Sequence, residues 1–226
     1  MQITKKSLAS KIDHTLLKPD ATHLQIKKLC EEAMEYGFAS VCINSCYVNY
    51  ASQLLRDSTV KVCTVVGFPL GACMTDAKAC EARYAAEFGA QEIDMVINVG
   101  MLKSGNYDCV LNDISQVVSA VHGKAIVKVI IETCLLTDEE KNIACRLACE
   151  AGADFVKTST GFSTAGATVH DIELFAANVS GGTKIKAAGG ISSLEDAEKF
   201  LELGAERLGT SRIVKIVKAE KNIQGY

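Results

Sequence analysis

"EAGADFVKTSTGF", residues 150–162, holds the pattern from which the rest of the chain can be read. Gly152 and Ala153 end a helical stretch and open a short apolar run, Phe155–Val156, which leads straight into Lys157, small hydroxyl residues and Gly161. The same Gly–Ala junction recurs at 89–90 and 204–205, each time between an amphipathic segment and an apolar run. Glycine at such a place reads as a helix C-cap, since it lacks the β-carbon that opposes a left-handed turn. Lys157 is the anomaly. A buried ammonium without a partner costs several kcal/mol or gives up its proton, so the lysine is either expelled to solvent or held for a purpose.

Working outward, short β-branched runs occur at 11–17, 39–45, 60–68, 92–100, 125–133, 153–160, 183–191 and 206–211. Helical patterns separate them. Residues 21–37 place Leu24, Ile26, Leu29, Ala33 and Met34 near one face and stop at Gly37. A second helix is expected to begin at a capping Thr75 and stop at Gly89; a third begins at Thr137 with Glu140 three residues on, and a fourth follows Ser193 and ends at Gly204. Eight such units, averaging about 28 residues each with no Pro/Gly/Ser linker, predict a closed (β/α)8 TIM barrel spanning 1–226 as a single domain. A doubly wound open sheet is the main competitor, but the Gly-rich dinucleotide turn that usually opens one is missing. Residues 1–10 are expected to form a short helix closing the barrel's bottom.

Composition narrows the function. The 226 residues are 48% hydrophobic and 23% charged with a formal charge of -3, which offers neither the basic footprint of a nucleic-acid binder nor an acidic disordered tail. The N-terminus lacks the apolar core of a signal peptide, and no window approaches the roughly 20 apolar residues of a membrane span. A cytoplasmic protein is expected. The ten cysteines are scattered and sit mainly in apolar strands or on helix faces, so they read as reduced, buried thiols. No CxxC pair or HExxH appears, and His14, His23, His122 and His170 lie far apart, so no metal site is expected.

In a barrel, polar residues at strand C-termini are candidates for chemistry. Here these are Asp13, Cys42, Asn44, Asp94, Asn98, Lys128, Glu132, Lys157, Lys186 and the run Gly209–Thr210–Ser211. Lys157 and Lys186 occupy similar places in units six and seven and can meet across neighbouring strands. Two ammonium groups ~5 Å apart repel by ~3 kcal/mol at an effective dielectric near ~20, enough to make one a neutral amine able to attack a carbonyl. Asp94, embedded among Ile, Met and Val, needs a partner, and a lysine is the natural one. Taken singly, each residue has an ordinary reading: a snorkelling lysine, a carboxylate bonded to a loop. Their joint occurrence favours a nucleophile, a second cation and a proton-relay acid. The Gly-rich endings 187–191 and 208–211, with Gly161, suit backbone recognition of a phosphate on a small substrate.

The strings IDHTLLKPDAT, VCIN, VVGFPLG, EIDMVINVG, KVIIET, DFVKTSTGF, IKAAGGI and RLGTS, in this order over essentially the whole chain, resemble the 2-deoxyribose-5-phosphate aldolase family. The resemblance implies a class I lyase on a (β/α)8 barrel with neither metal nor cofactor. It makes Lys157 the Schiff-base lysine, Lys186 the cation that perturbs it and Asp94 the relay acid. Asp13, Cys42, Lys128 and Thr158 would surround the substrate, and Gly161, Gly189, Gly190, Gly209, Ser211 and Arg212 would hold its phosphate. The implied reaction is reversible cleavage of deoxyribose 5-phosphate to glyceraldehyde 3-phosphate and acetaldehyde, in deoxynucleoside catabolism. These small molecules are the implied partners, with neither nucleic acid nor membrane, and a homodimer or larger homo-oligomer is implied. Two features depart from the pattern: Phe162 stands where some members carry lysine, and Arg212 where some carry serine, although Arg212 can offer a bidentate phosphate partner. The terminal Tyr226 is a further candidate proton donor. Other readings on the same barrel are an isomerase or epimerase with Asp94 as base, a sugar-phosphate sensor, and a different Schiff-base aldolase.

Overall fold

The computed structural model describes residues 8–212. Eight parallel strands, β1 (Ile12–Leu16), β2 (Ser40–Ile43), β3 (Lys61–Val66), β4 (Glu92–Val96), β5 (Ile126–Ile130), β6 (Phe155–Lys157), β7 (Lys184–Ala188) and β8 (Arg207–Thr210), pair in sequence order. Pairing of β8 with β1 closes the barrel. The connections carry α1 (His23–Tyr36), α2 (Val48–Leu54), α3 (Thr75–Glu87), α4 (Val99–Lys103), α5 (Tyr107–Ala120), α6 (Asp138–Glu150), α7 (Val169–Asn178) and α8 (Leu194–Glu202). The expected (β/α)8 architecture is what the described residues form. The expected helix over 1–10 and the tail with Tyr226 lie largely or wholly outside them.

Local signals placed the elements well where a cap defines an end. Thr137 accepts from Glu140 N while the Glu140 carboxylate accepts from Thr137 N, and Ser193 makes the equivalent box with Asp196. Thr22 caps α1 with Gln25 in the same way, and Gly37 closes that helix with φ 68°. Two expectations need correction. Thr75 is the first helical residue and not the cap, which is Met74 without a side-chain bond. The buried face of α1 is Ile26, Leu29, Cys30 and Ala33, whereas Leu24 and Met34 are exposed. Positions 26, 29, 30 and 33 keep the 3.6-residue period, and Leu24 falls roughly 200° from Ile26 around the helix, on the far side.

The apolar layer between strands and helices is one continuous cluster, with Ile12, Ile43, Ile93, Met95, Val129 and Val156 on the strands meeting Ile26, Leu29, Ile114 and Phe175 on the helices. Side chains alternate along each strand, so every second residue points into the barrel instead. Those inward positions are largely polar: Asp13, Ser40, Glu92, Asp94, Lys128, Lys157 and Lys186 are all buried. The observed strands end short of the apolar runs read from sequence, for example at Val96 and not 100 and at Lys157 and not 160. The surplus residues are the loops at the barrel's mouth.

One ion pair braces the outer layer. Lys78 on α3 is fully buried; its ammonium donates to the Val96 carbonyl at 2.9 Å and to Asp113 Oδ2 on α5 at 2.5 Å. Gly67 makes room for it, since a β-carbon there would lie 2.9 Å from Lys78 Cε. Breaking such a pair from one side leaves a buried charge without its counter-charge. Asp113→Ala is therefore expected to cost about 3–5 kcal/mol in urea denaturation. The double variant Lys78→Met, Asp113→Leu is expected to recover most of that loss; a fully additive double variant would show that the pair is not coupled.

Candidate active site

The centre of the barrel is a charge network built on Asp94. On β4 the alternation places Glu92 and Asp94 on the same inward face, and register sets Asp94 opposite Lys128 of β5. Lys157 and Lys186 are register partners on β6 and β7. Asp94 Oδ1 accepts from Lys128 Nζ at 2.9 Å, while Oδ2 accepts from Lys157 Nζ at 2.7 Å and Lys186 Nζ at 2.6 Å. Beneath this, Lys186 pairs with Asp13 at 2.5 Å, Lys128 with Glu92 at 2.5 Å, and Arg207 of β8 with Asp13 at 2.6 Å and Glu92 at 2.9 Å. Gly209 leaves the space that Lys186 needs, since a β-carbon there would sit 3.3 Å from Lys186 Cε.

The electrostatics follow from burial opposed by pairing. Burial alone would raise the Asp94 and Asp13 carboxyls, but the surrounding ammonium groups hold both well below the usual carboxylate range. Burial would likewise lower Lys186 and Lys128, yet their carboxylate partners raise both above the usual lysine value. The sequence suggested direct opposition between Lys157 and Lys186. The structure instead inserts a shared carboxylate oxygen between them, and Lys186 is held firmly as a cation.

Above the network opens a cavity of about 350 Å³. Of the three lysines on Asp94, Lys157 is the one that lines it. The same cavity is lined by all six residues expected to hold phosphate: Gly161 after β6, Gly189 and Gly190 after β7, and Gly209, Ser211 and Arg212 on and after β8. Gly189 and Gly190 have φ of 77° and 76°, a left-handed conformation that residues with a side chain rarely adopt. A β-carbon on Gly166 would fall 2.3 Å from the Gly189 carbonyl carbon, so the β6 loop packs directly on this turn. Phe162 rims the cavity and stands edge-on to Phe68, 5.2 Å between ring centres, so an aromatic pair spans the mouth from the β3 loop to the β6 loop.

The remaining sequence candidates do not line the cavity. Asp13 and Lys128 are fully buried within the charge network, and Thr158 bridges β6 to β7 through Ala188. Cys42 is buried in a small apolar group with Leu17, Cys63 and Val65; its hydrogen bond with Cys63 lowers its thiol's pKa, while burial pushes that of Cys63 well up. Asn98 caps α4 by accepting from Met101 N, and Asn44, after β2, donates its side-chain amide to the Leu17 carbonyl. Sequence reasoning missed Glu92 and Arg207, although the i, i+2 spacing of Glu92 and Asp94 marked both as inward. It also missed Cys63, whose thiol donates to Asp94 Oδ1 at 3.2 Å. Two sets of donors among the described residues could converge on an ion, Cys42–Cys63–Asp94 and Asp13–Cys63–Glu92. Their carboxylates are already engaged by ammonium or guanidinium groups, which stand where a metal cation would have to enter.

Comparison with known proteins agrees with this architecture. A family model described as "DeoC/LacD family aldolase" matches residues 8–211. The deoxyribose-phosphate aldolase of Clostridium kluyveri is 62% identical over 213 residues, covering 94% of this chain and 98% of its own. That of Carboxydothermus hydrogenoformans is 59% identical over 227 residues, covering 99% and 100%. Among solved structures, the tetrameric deoxyribose phosphate aldolase of Aeropyrum pernix superposes with a TM-score of 0.89 at 36% identity, covering 97% of this chain and 93% of its own. With the family model spanning nearly the whole barrel and relatives this similar along their full lengths, the chain belongs to the DeoC/LacD family of aldolases.

Proposed function

We propose that the protein is a deoxyribose-phosphate aldolase in which Lys157 forms a Schiff base with the substrate aldehyde. The observation that carries this reading is that, of the three lysines gathered on Asp94, Lys157 alone borders the cavity, which the glycine turns and Arg212 also line. The charge balance supports it. Asp13, Glu92 and Asp94 are three carboxylates, and Lys128, Lys186 and Arg207 match them as three cations. Lys157 is thus the basic group that the network does not need for neutrality, and it is the one that borders the cavity, where a nucleophile is needed.

In the cleavage direction Lys157 Nζ adds to C1 of the open-chain sugar phosphate and water leaves, giving an iminium. A water held by Asp94 and Lys186 takes the proton from the C3 hydroxyl, and the C2–C3 bond breaks. Its electron pair passes to the iminium and forms an enamine. The three-carbon product, glyceraldehyde 3-phosphate, departs; protonation of the enamine carbon and hydrolysis then free acetaldehyde and return Lys157. No added cofactor is required, because the iminium is the electron sink. Gly161, Gly189, Gly190, Gly209, Ser211 and Arg212 hold the phosphate through backbone amides, a hydroxyl and a guanidinium. Asp13, Cys42, Lys128 and Thr158 act from behind the cavity wall: Asp13 and Lys128 by holding the orientation and charge of Lys186 and Asp94, Cys42 through the layer beside Asp94, and Thr158 by fixing β6 to β7.

The wider setting follows from the same reading. The full chain serves as one catalytic domain, acts as a homo-oligomer as the Aeropyrum pernix protein does, and works in deoxynucleoside catabolism in the cytoplasm. All ten cysteines are free thiols, which suits a reducing compartment, although only Cys30, Cys42, Cys63 and Cys145 are buried as expected, and no helix of the described residues is long and apolar enough to cross a membrane.

Borohydride reduction in the presence of acetaldehyde, followed by peptide mass mapping, tests the central claim. A stable adduct on Lys157 is expected, and its loss in Lys157→Ala together with a fall in kcat of at least about a thousandfold. Turnover with no adduct on any lysine sinks the Schiff-base mechanism. Lys186→Met should keep the fold while lowering kcat by roughly a hundredfold or more, because the relay loses its fixed cation; near-normal kcat in that variant would remove Lys186 from the mechanism.

A further inference from the structure

Directly after β5 the chain makes a turn that its residue type does not favour. Glu132 has φ 55° and ψ 66°, and it is the only non-glycine with positive φ among the described residues. A side chain held in the left-handed region persists only where surrounding contacts over-determine it, and such residues gather at functional sites. The contacts here are specific. The Glu132 side chain is buried; its Oε1 and Oε2 accept from the Thr160 backbone amide at 3.2 and 3.3 Å, and the Thr160 hydroxyl donates to Oε2. The same hydroxyl oxygen accepts from the Phe162 amide at 3.0 Å. One carboxylate therefore sets the course of residues 160–162, all three of which line the cavity.

The backbone on either side is already tied. Ile131 N donates to the Lys157 carbonyl at 3.1 Å and Thr133 N to the Thr158 carbonyl at 3.0 Å, which carries the β5–β6 pairing past the ends of both strands. Beyond Thr158 the β6 loop leaves the ladder, and the Glu132 side chain takes over where backbone pairing stops. A carboxylate is a poor neighbour for an anion-binding wall unless its charge is engaged. The donors of Thr160 engage it, and Glu132 itself does not border the cavity.

We propose that Glu132 is a positioning residue for the phosphate end of the cavity: through Thr160 it locks the 160–162 segment against the Gly189–Gly190 turn and so determines the preference for the phosphorylated sugar over the free one. The inference rests on the proposed aldolase reading. Its strain is the signature of that task, since relaxing φ at 132 would swing the carboxylate away from Thr160.

The test compares deoxyribose 5-phosphate with deoxyribose as substrates for the wild-type enzyme, Glu132→Ala and Glu132→Gln. In Glu132→Ala, kcat/KM for the phosphorylated sugar should fall at least about tenfold, mainly through KM, while that for deoxyribose stays within about twofold. Glu132→Gln, which keeps one acceptor oxygen, should fall between. If Glu132→Ala does not fold, the ratio for Glu132→Gln decides the matter alone, a narrowed preference supporting the role and an unchanged one removing it. The borohydride adduct formed on Lys157 with acetaldehyde, which carries no phosphate, should survive in both variants. Equal losses on the two sugars would overturn the positioning role and leave Glu132 a stabilising residue. A wild-type enzyme with no preference for the phosphorylated sugar would overturn the phosphate reading of the cavity together with this proposal, whereas a wild-type preference left unchanged by the variants overturns this proposal alone.

Discussion

Everything at the centre of this barrel depends on the Asp94 carboxylate having no access to water. A buried carboxylate is tolerable only when positive charge surrounds it, and Asp94 accepts from Lys128, Lys157 and Lys186 at once. Each of those ammonium groups would be costly without further partners, so Asp13, Glu92 and Arg207 are drawn in beneath. The result is a stack in which each carboxylate is shared by two or three cations. Rigidity at the Lys157 side chain comes from this closure of charge more than from any apolar contact.

The barrel makes the stack possible by a simple constraint. Parallel strands in sequential order bring the inward face of β4 beside that of β5, and β6 beside β7, so residues far apart in the chain become neighbours with fixed spacing. Apolar residues on the outward faces meet the helices and provide the main hydrophobic core. That division leaves the barrel interior free for polar side chains, and the loops at the strand ends free for substrate contact. Lys157 stands at the boundary between the two regions, at the last position of β6, with its amine reaching up to the cavity and its carbonyl still in the ladder.

Much of this was readable before any coordinate. Alternation of β-branched runs with amphipathic segments, punctuated by Gly–Ala junctions, reflects local backbone preferences, and local preferences survive folding when the tertiary context agrees with them. The capping box at Thr137 and the helix start after Ser193 were legible for the same reason. Strand ends were read too long because the mouth loops are also rich in Val, Ile and Thr, and composition cannot distinguish a paired residue from the one that follows it. The face of α1 was misread at Leu24 and Met34 because both are apolar, yet Leu24 lies on the far side of the helix and Met34 only flanks the stripe, and packing against the strands decides which apolar residues are covered.

Residue order alone determined the repeat, the closed barrel it predicts, the inward face of β4 and the two lysines at equivalent strand positions, because each depends on spacing within one unit or between like units. The tertiary structure decided the rest. Arg207 and Asp13 are separated by most of the chain and meet only through closure of β8 on β1. Lys157 and Lys186 share a carboxylate oxygen, and do not simply repel, because the barrel's radius lets Asp94 reach both from across the interior. Glu132 gained its place in the same way: its left-handed turn has no local cause in the sequence, and its carboxylate meets donors of Thr160, which lies on the neighbouring loop. Pairing between distant groups is a property of distance in space, and that is settled only when the chain closes.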